Sequence, residues 1–149
     1  MERLFMNEAI KEAKLAYLQK EVPVGAVIVK NNKIISRAHN MKETLIDTTA
    51  HAEIIAIRKA SLVLNNWRLL DCSMYVTLEP CPMCAAAILQ SRINKLYIGT
   101  FDPNLGACGS VLNIVQNDNL NTRVDVKWMY DKECSHIITK FFKERRNKN

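Results

Sequence analysis

Two short stretches constrain this chain more than any other part of it: His51-Ala-Glu53 and Pro80-Cys81-Pro-Met-Cys84. Each opens a run of helical periodicity directly after a segment that reads as loop or strand. Cys81 and Cys84 stand three apart, which sets both sulfurs on one helix face, within reach of one ion. The first turn of a helix favours negative charge and lowers the cost of two thiolates. Pro82 suits the first helical position. A fold that uses these residues together must bring two helix starts to one point.

His51 adds a geometric condition. Neutral imidazole is a good zinc ligand. Glu53 lies two residues on, about 200° around a regular helix, so the two side chains cannot aim at one ion from within it. His51 must therefore stand at the helix boundary. Three protein ligands leave zinc a fourth position for water, whose pKa falls to about 7. A carboxylate close to the metal but not bound to it can then move protons. Glu53 fits that role, and Glu79, beside Pro80, is the second candidate.

A structural zinc site needs a fourth protein ligand. Cys72, Cys108, Cys134, His39 and His136 are available, yet none has a paired spacing. A redox Cys-x-x-Cys leaves His51 and Glu53 unexplained. Five cysteines form no evident disulfide framework, and in a reducing compartment a close pair is metal-binding or catalytic rather than bridged.

The rest of the chain alternates strands and helices. Phe5, Met6, Ala9, Ile10, Ala13, Ala16 and Tyr17 recur at three- and four-residue steps and predict an amphipathic helix over about 5–18. Val24–Val29 and Lys33–Ala38 read as a hairpin around Lys30-Asn-Asn-Lys33. Thr48 and Thr49 offer an N-cap for a helix from about Ala50 to Leu64. Ser73–Leu78 is a strand, a helix runs from Pro82 to about Ser91, and Lys95–Thr100 is a strand. A long loop continues through Ser110. Val124–Tyr130 is a last strand, and a basic helix spans about 131–146. This order predicts an α/β protein with a five-stranded mixed sheet, in a single domain over 1–149.

With 48% hydrophobic and 24% charged residues the composition is that of a soluble globular protein. No apolar run approaches the roughly 20 residues that span a bilayer, and no secretory signal opens the chain. A cytoplasmic location is expected. Residues 140–149 carry Lys140, Lys143, Arg145, Arg146 and Lys148 against Glu144, and so hold +4 of the formal net charge of +6. Such a tail is a solvated helix end or a contact for a phosphate backbone.

The pattern H-x-E … P-C-x-x-C is the signature of zinc-dependent nucleobase deaminases. Over nearly its whole length the chain resembles the bacterial tRNA-specific adenosine deaminases. The resemblance runs through Val22-Pro-Val-Gly-Ala26, Asn40, Thr49-Ala-His-Ala-Glu53, Trp67-Arg-Leu and Tyr75-Val-Thr-Leu-Glu-Pro-Cys-Pro-Met-Cys84. It continues through Ser91-Arg-Ile, Gly99 to Ser110, Phe141-Phe142 and Arg145-Arg146. One departure is Thr48, where many relatives carry Pro.

The resemblance implies a three-layer α/β/α cytidine deaminase-like fold and a homodimer with one Zn2+ per subunit, held by His51, Cys81 and Cys84. It implies hydrolytic conversion of adenosine to inosine at the wobble position of a tRNA anticodon, usually an arginine tRNA, with release of ammonia. Glu53 is then the proton carrier. Asn40 would bind the flipped base, with Val24 and Ala52 in its pocket. The loop Phe101-Asp102-Pro103-Asn104-Leu105 would meet neighbouring nucleotides of the anticodon stem-loop, with Asp102 and Asn104 as candidate contacts. Arg145 and Arg146 are candidate phosphate contacts, and Phe141 and Phe142 are expected in the core. The same zinc chemistry serves enzymes acting on free guanine, cytosine or cytidine, and a non-catalytic structural-zinc protein is the remaining alternative.

Overall fold

The computed structural model describes residues 1–148. Nine elements follow in chain order: α1 (Glu2–Leu18), β1 (Gly25–Lys30), β2 (Lys33–His39), α2 (Ala52–Leu64), β3 (Cys72–Leu78), α3 (Pro82–Gln90), β4 (Lys95–Thr100), β5 (Asp125–Trp128) and α4 (Lys132–Asn147). The strands form one sheet in the order β2-β1-β3-β4-β5. β1 is antiparallel to both β2 and β3, whereas β3, β4 and β5 run parallel. The sheet is mixed, as expected.

Side chains alternate across the strands and build a separate core on each face. Ala26, Ile28, Met74, Val76, Leu96 and Ile98 point to one side, against Ala52, Ala56 and Ala60 of α2 and Ala85 and Ile88 of α3. Val27, Val29, Tyr75 and Tyr97 point to the other, against Phe5, Met6, Ala9 and Ile10 of α1 and Cys134 of α4. The result is three layers, α/β/α. Met74, Ile88, Leu96 and Ile98 are fully buried, and each such side chain contributes about 1.5–3 kcal/mol. α1 crosses β1 so closely that a Cβ on Gly25 would lie 2.0 Å from the Ala9 carbonyl oxygen.

The hairpin closes through Asn31 and Asn32, both at positive φ (51° and 60°), as a two-residue turn requires. The connection from β4 to β5 contains no helix. Residues 101–124 instead bury Ala107, Cys108, Val115 and Val124 against the α2/α3 face. The last strand is shorter than expected. It ends at Trp128, because Tyr130 takes φ 49° before Asp131 caps α4.

α2 also starts later than expected, at Ala52, and its N-cap is His51. Neither Thr48 nor Thr49 caps it. Thr49 gives both its N–H and its hydroxyl to Asp47 Oδ1, closing a turn ahead of the helix. No helix among the described residues is long and apolar enough to cross a membrane.

Candidate active site

Strand register gathers the functional residues at one end of the sheet. Leu78 pairs with Thr100, Ala26 with Val76, and Gly25 with His39. The carboxyl ends of β2, β3 and β4 and the start of β1 therefore lie together, and α2 and α3 begin there. Ligand sites in α/β sheets form at carboxyl ends of strands.

The two helix starts repeat one arrangement. His51 and Cys81 are both N-caps in extended backbone, with φ/ψ of −77°/153° and −72°/173°, and neither makes a side-chain capping bond. Their side chains are left to face one another. The geometric condition on His51 is met: it stands outside the helix, and Glu53 sits in the first turn. Cys84 is in the first turn of α3 and fully buried.

The three ligand atoms lie within 4.8 Å of one another. His51 Nδ1 is 3.7 Å from Cys81 Sγ and 3.4 Å from Cys84 Sγ. Usual Zn–S and Zn–N bond lengths give a tetrahedral S–N edge of about 3.6 Å. One nitrogen and two sulfurs in this arrangement fit a zinc ion. The metal group contains three residues: Cys72, Cys108, Cys134, His39 and His136 do not join it. All five cysteines are free.

The electrostatics follow from proximity and burial. The hydrogen bond from Cys84, opposed by burial and helped by His51, holds the Cys81 thiol down to about 4. The same bond and burial push Cys84 up. His51 is raised by its bond to Cys81, against burial. Burial lifts Glu53, only 4% exposed, to about 7, and the charge of Cys81 adds to this.

Above these groups lies a cavity of about 550 Å³, within the range usual for small-molecule sites. Its floor holds His51, Ala52, Glu53 and Cys81, and its sides hold Val24, Asn40 and Lys42. The loop Phe101–Leu105 forms another side, and Ile138, Thr139, Phe142 and Arg146 of α4 complete it. Asn40 Nδ2 donates to the Val22 carbonyl, and its Oδ1 accepts from Lys42 N–H. One donor and one acceptor of the amide stay available.

Buried carboxylates support both loops. Glu21 accepts from the N–H groups of Glu43 and Thr44 and from the Thr44 hydroxyl. Glu79, 2% exposed, binds the loop after β4. Asp102 Oδ1 accepts from Asn104 and Leu105 N–H, so part of its side chain shapes the loop itself.

The expectation for the tail needs correction. Phe141 is buried and packs edge-on to Tyr17 of α1. Phe142 is 39% exposed and lines the cavity instead of the core. The helix carries two stripes: Cys134, Ile137 and Phe141 face inward, while Ile138, Phe142 and Arg146 follow at four-residue steps along the cavity. That spacing was the signal for Phe142. Arg145 lies outside the main cavity, against an adjoining groove with Asn104, Phe142 and Arg146. Lys42 and Glu21 had no motif to mark them.

Residues 1–100 match the family model for the cytidine and deoxycytidylate deaminase zinc-binding region. The tRNA-specific adenosine deaminase of Bacillus subtilis is 46% identical over 148 residues, covering 99% of this chain and 92% of that protein. That of Aquifex aeolicus is 48% identical over 145 residues, covering 96% and 95%. A solved structure from studies of A-to-I editing by tRNA:A34 deaminases superposes with a TM-score of 0.87 at 42% identity, over 91% of this chain and 99% of that one. The two helix starts, the three zinc-type ligands and this full-length similarity have one reading: the chain belongs to the tRNA-specific adenosine deaminases of the cytidine deaminase family.

Proposed function

We propose that this chain hydrolyses adenosine to inosine at the wobble position of a tRNA anticodon and releases ammonia, working as one domain over its full length. The observation that carries this is the single cavity joining His51, Cys81 and Glu53 to a rim of polar loop and basic helix. His51, Cys81 and Cys84 hold the zinc ion, which when bound activates water for attack near neutral pH. Glu53 takes a proton from the attacking water and delivers it to the ring nitrogen, then moves the proton of the added hydroxyl to the amine, which leaves as ammonia when the C–N bond breaks. Glu79 lines the same cavity but is engaged by the loop after β4, which favours Glu53 for proton transfer.

Asn40 orients the base through the free half of its amide, between Val24 and Ala52. A base flips into such a pocket at least cost from a single-stranded or unpaired segment, as an anticodon loop provides. Phe101, Asp102 and Asn104 line the same cavity, which supports a role for them in contacting flanking nucleotides. Phe142 offers a stacking face, and Arg145 and Arg146 offer charge to phosphates. We further infer a homodimer acting in the cytoplasm, with an arginine tRNA as substrate.

The test offers an anticodon stem-loop with a wobble adenosine beside free adenosine, cytidine and guanine, and reads the deaminated products (inosine, uridine and xanthine) by mass spectrometry. Inosine in the stem-loop is expected. Conversion of a free base with the stem-loop untouched overturns the substrate while leaving the zinc site standing.

A further inference from the structure

Glu79 is buried at the cavity wall, yet the chemistry assigned above gives it no task. Its carboxylate accepts four hydrogen bonds, all from one loop. Oε1 accepts from Asp102 N–H at 2.9 Å and from the Ser110 hydroxyl at 2.5 Å. Oε2 accepts from Cys108 N–H at 3.0 Å and from Ser110 N–H at 3.1 Å. A carboxylate offers about four lone-pair sites, so the group is saturated.

The loop is built around that carboxylate. A Cβ on Gly106 would lie 2.3 Å from both Cδ and Oε1 of Glu79, so only glycine permits the approach. The backbone tightens the same junction: Glu79 N–H donates to Thr100 O, and Ala107 N–H to Pro80 O. The near end of the loop, Phe101–Leu105, is a cavity wall. Two residues after Glu79 stands Cys81. One side chain thus ties a wall of the substrate cavity to the chain segment that enters the metal floor.

We propose that Glu79 is a positioning residue that sets the Phe101–Leu105 wall at the distance from Glu53 and His51 that an RNA substrate needs, and so governs substrate binding rather than the chemical step. This rests on the function proposed above. Glutamine is a poor substitute, because whichever way its amide turns, its –NH2 faces a backbone donor: Asp102 N–H on the Oε1 side, or Cys108 N–H and Ser110 N–H on the Oε2 side. The loop then detaches on one side and the wall loses its position.

The experiment measures kcat and KM on the wobble-adenosine stem-loop, zinc content, and amide hydrogen exchange for the parent chain, Glu79→Gln and Ser110→Ala. Ser110→Ala removes one donor and keeps the carboxylate, so it remains informative if Glu79→Gln fails to fold. In Glu79→Gln, KM rises roughly tenfold while kcat stays within about threefold. Zinc content is unchanged, and the amides of Asp102, Cys108 and Ser110 exchange faster. Ser110→Ala moves KM the same way, by roughly threefold. An unchanged KM in the variants overturns the proposal, as does a fall in kcat alone. Loss of zinc also overturns it, since Glu79 is then a support of the metal floor. A parent chain that makes no inosine in the stem-loop overturns the proposed function, and this inference with it; a failure of the variants alone leaves that function intact.

Discussion

At the floor of the cavity two helix starts repeat one local arrangement; at its rim three segments with no common local pattern meet. His51 and Cys81 are both uncapped N-cap residues in extended backbone, and Glu53 and Cys84 both sit in the turn that follows. Each pair is held by a handful of consecutive residues. The rim takes Asn40 and Lys42 from the end of β2, Phe101–Leu105 from the end of β4, and Phe142 and Arg146 from the far end of the chain. A floor built locally tolerates little change in residue type, whereas a rim built by assembly loses function by degrees.

The comparison breaks first at the floor. Cys84→Ser loses zinc and all turnover, and metal analysis of the purified protein checks it; full zinc content in that variant would refute the ligand set. Glu53→Gln keeps zinc and lowers kcat by roughly 10²–10⁴-fold, the usual worth of a positioned acid–base group. Full activity in a zinc-loaded Glu53→Gln protein removes Glu53 from the mechanism.

The rim gives smaller effects. Arg146→Ala raises KM for the stem-loop several-fold and reduces the slope of log affinity against log salt by about 1. Binding titrations over a salt series measure this, and an unaltered slope means that Arg146 meets no phosphate. Arg145→Ala, on the adjoining groove, separates the two arginines.

The smallest effect sharpens the comparison from beneath the rim. Asp131 caps α4 through Oδ1, accepting from Glu133 and Cys134 N–H, and pairs with Arg3 through Oδ2. Burial alone raises its carboxyl, but those amides and the Arg3 guanidinium outweigh it and hold it below the usual range. Its stabilisation is therefore complete above the unfolded value of about 4 and is lost as pH falls through the lower folded value. Asp131→Asn flattens the acid limb of the stability curve, which urea midpoints across pH read directly. An unchanged acid limb shows that the cap contributes no charge-dependent stability.

Some of this was legible in the residues alone. The alternation of strands and helices, the turn at Asn31-Asn32 and the helix-boundary position of His51 all follow from short-range rules of period, turn chemistry and helix geometry. The start of α2 is not legible from residue type, because two threonines are better caps by type than a histidine. Asp47 takes Thr49 into its own turn, and His51 holds the N-cap with its ring turned toward the two sulfurs. The place of Phe142 is not legible either, because adjacent aromatic residues on a helix point about 100° apart, and only packing decides which one α1 covers.

By itself the sequence determined the chemistry. Zinc ligands at helix starts are encoded within a few consecutive residues, where steric and hydrogen-bonding preferences act over short range. The cavity was decided by tertiary structure alone. Its walls come from chain segments as distant in sequence as Val24 and Arg146, joined by strand register and by buried carboxylates such as Glu21 and Glu79. Beside the hydroxyls of Thr44 and Ser110, their partners are backbone N–H groups, which every residue but proline carries, so residue type marks little of where those bonds go.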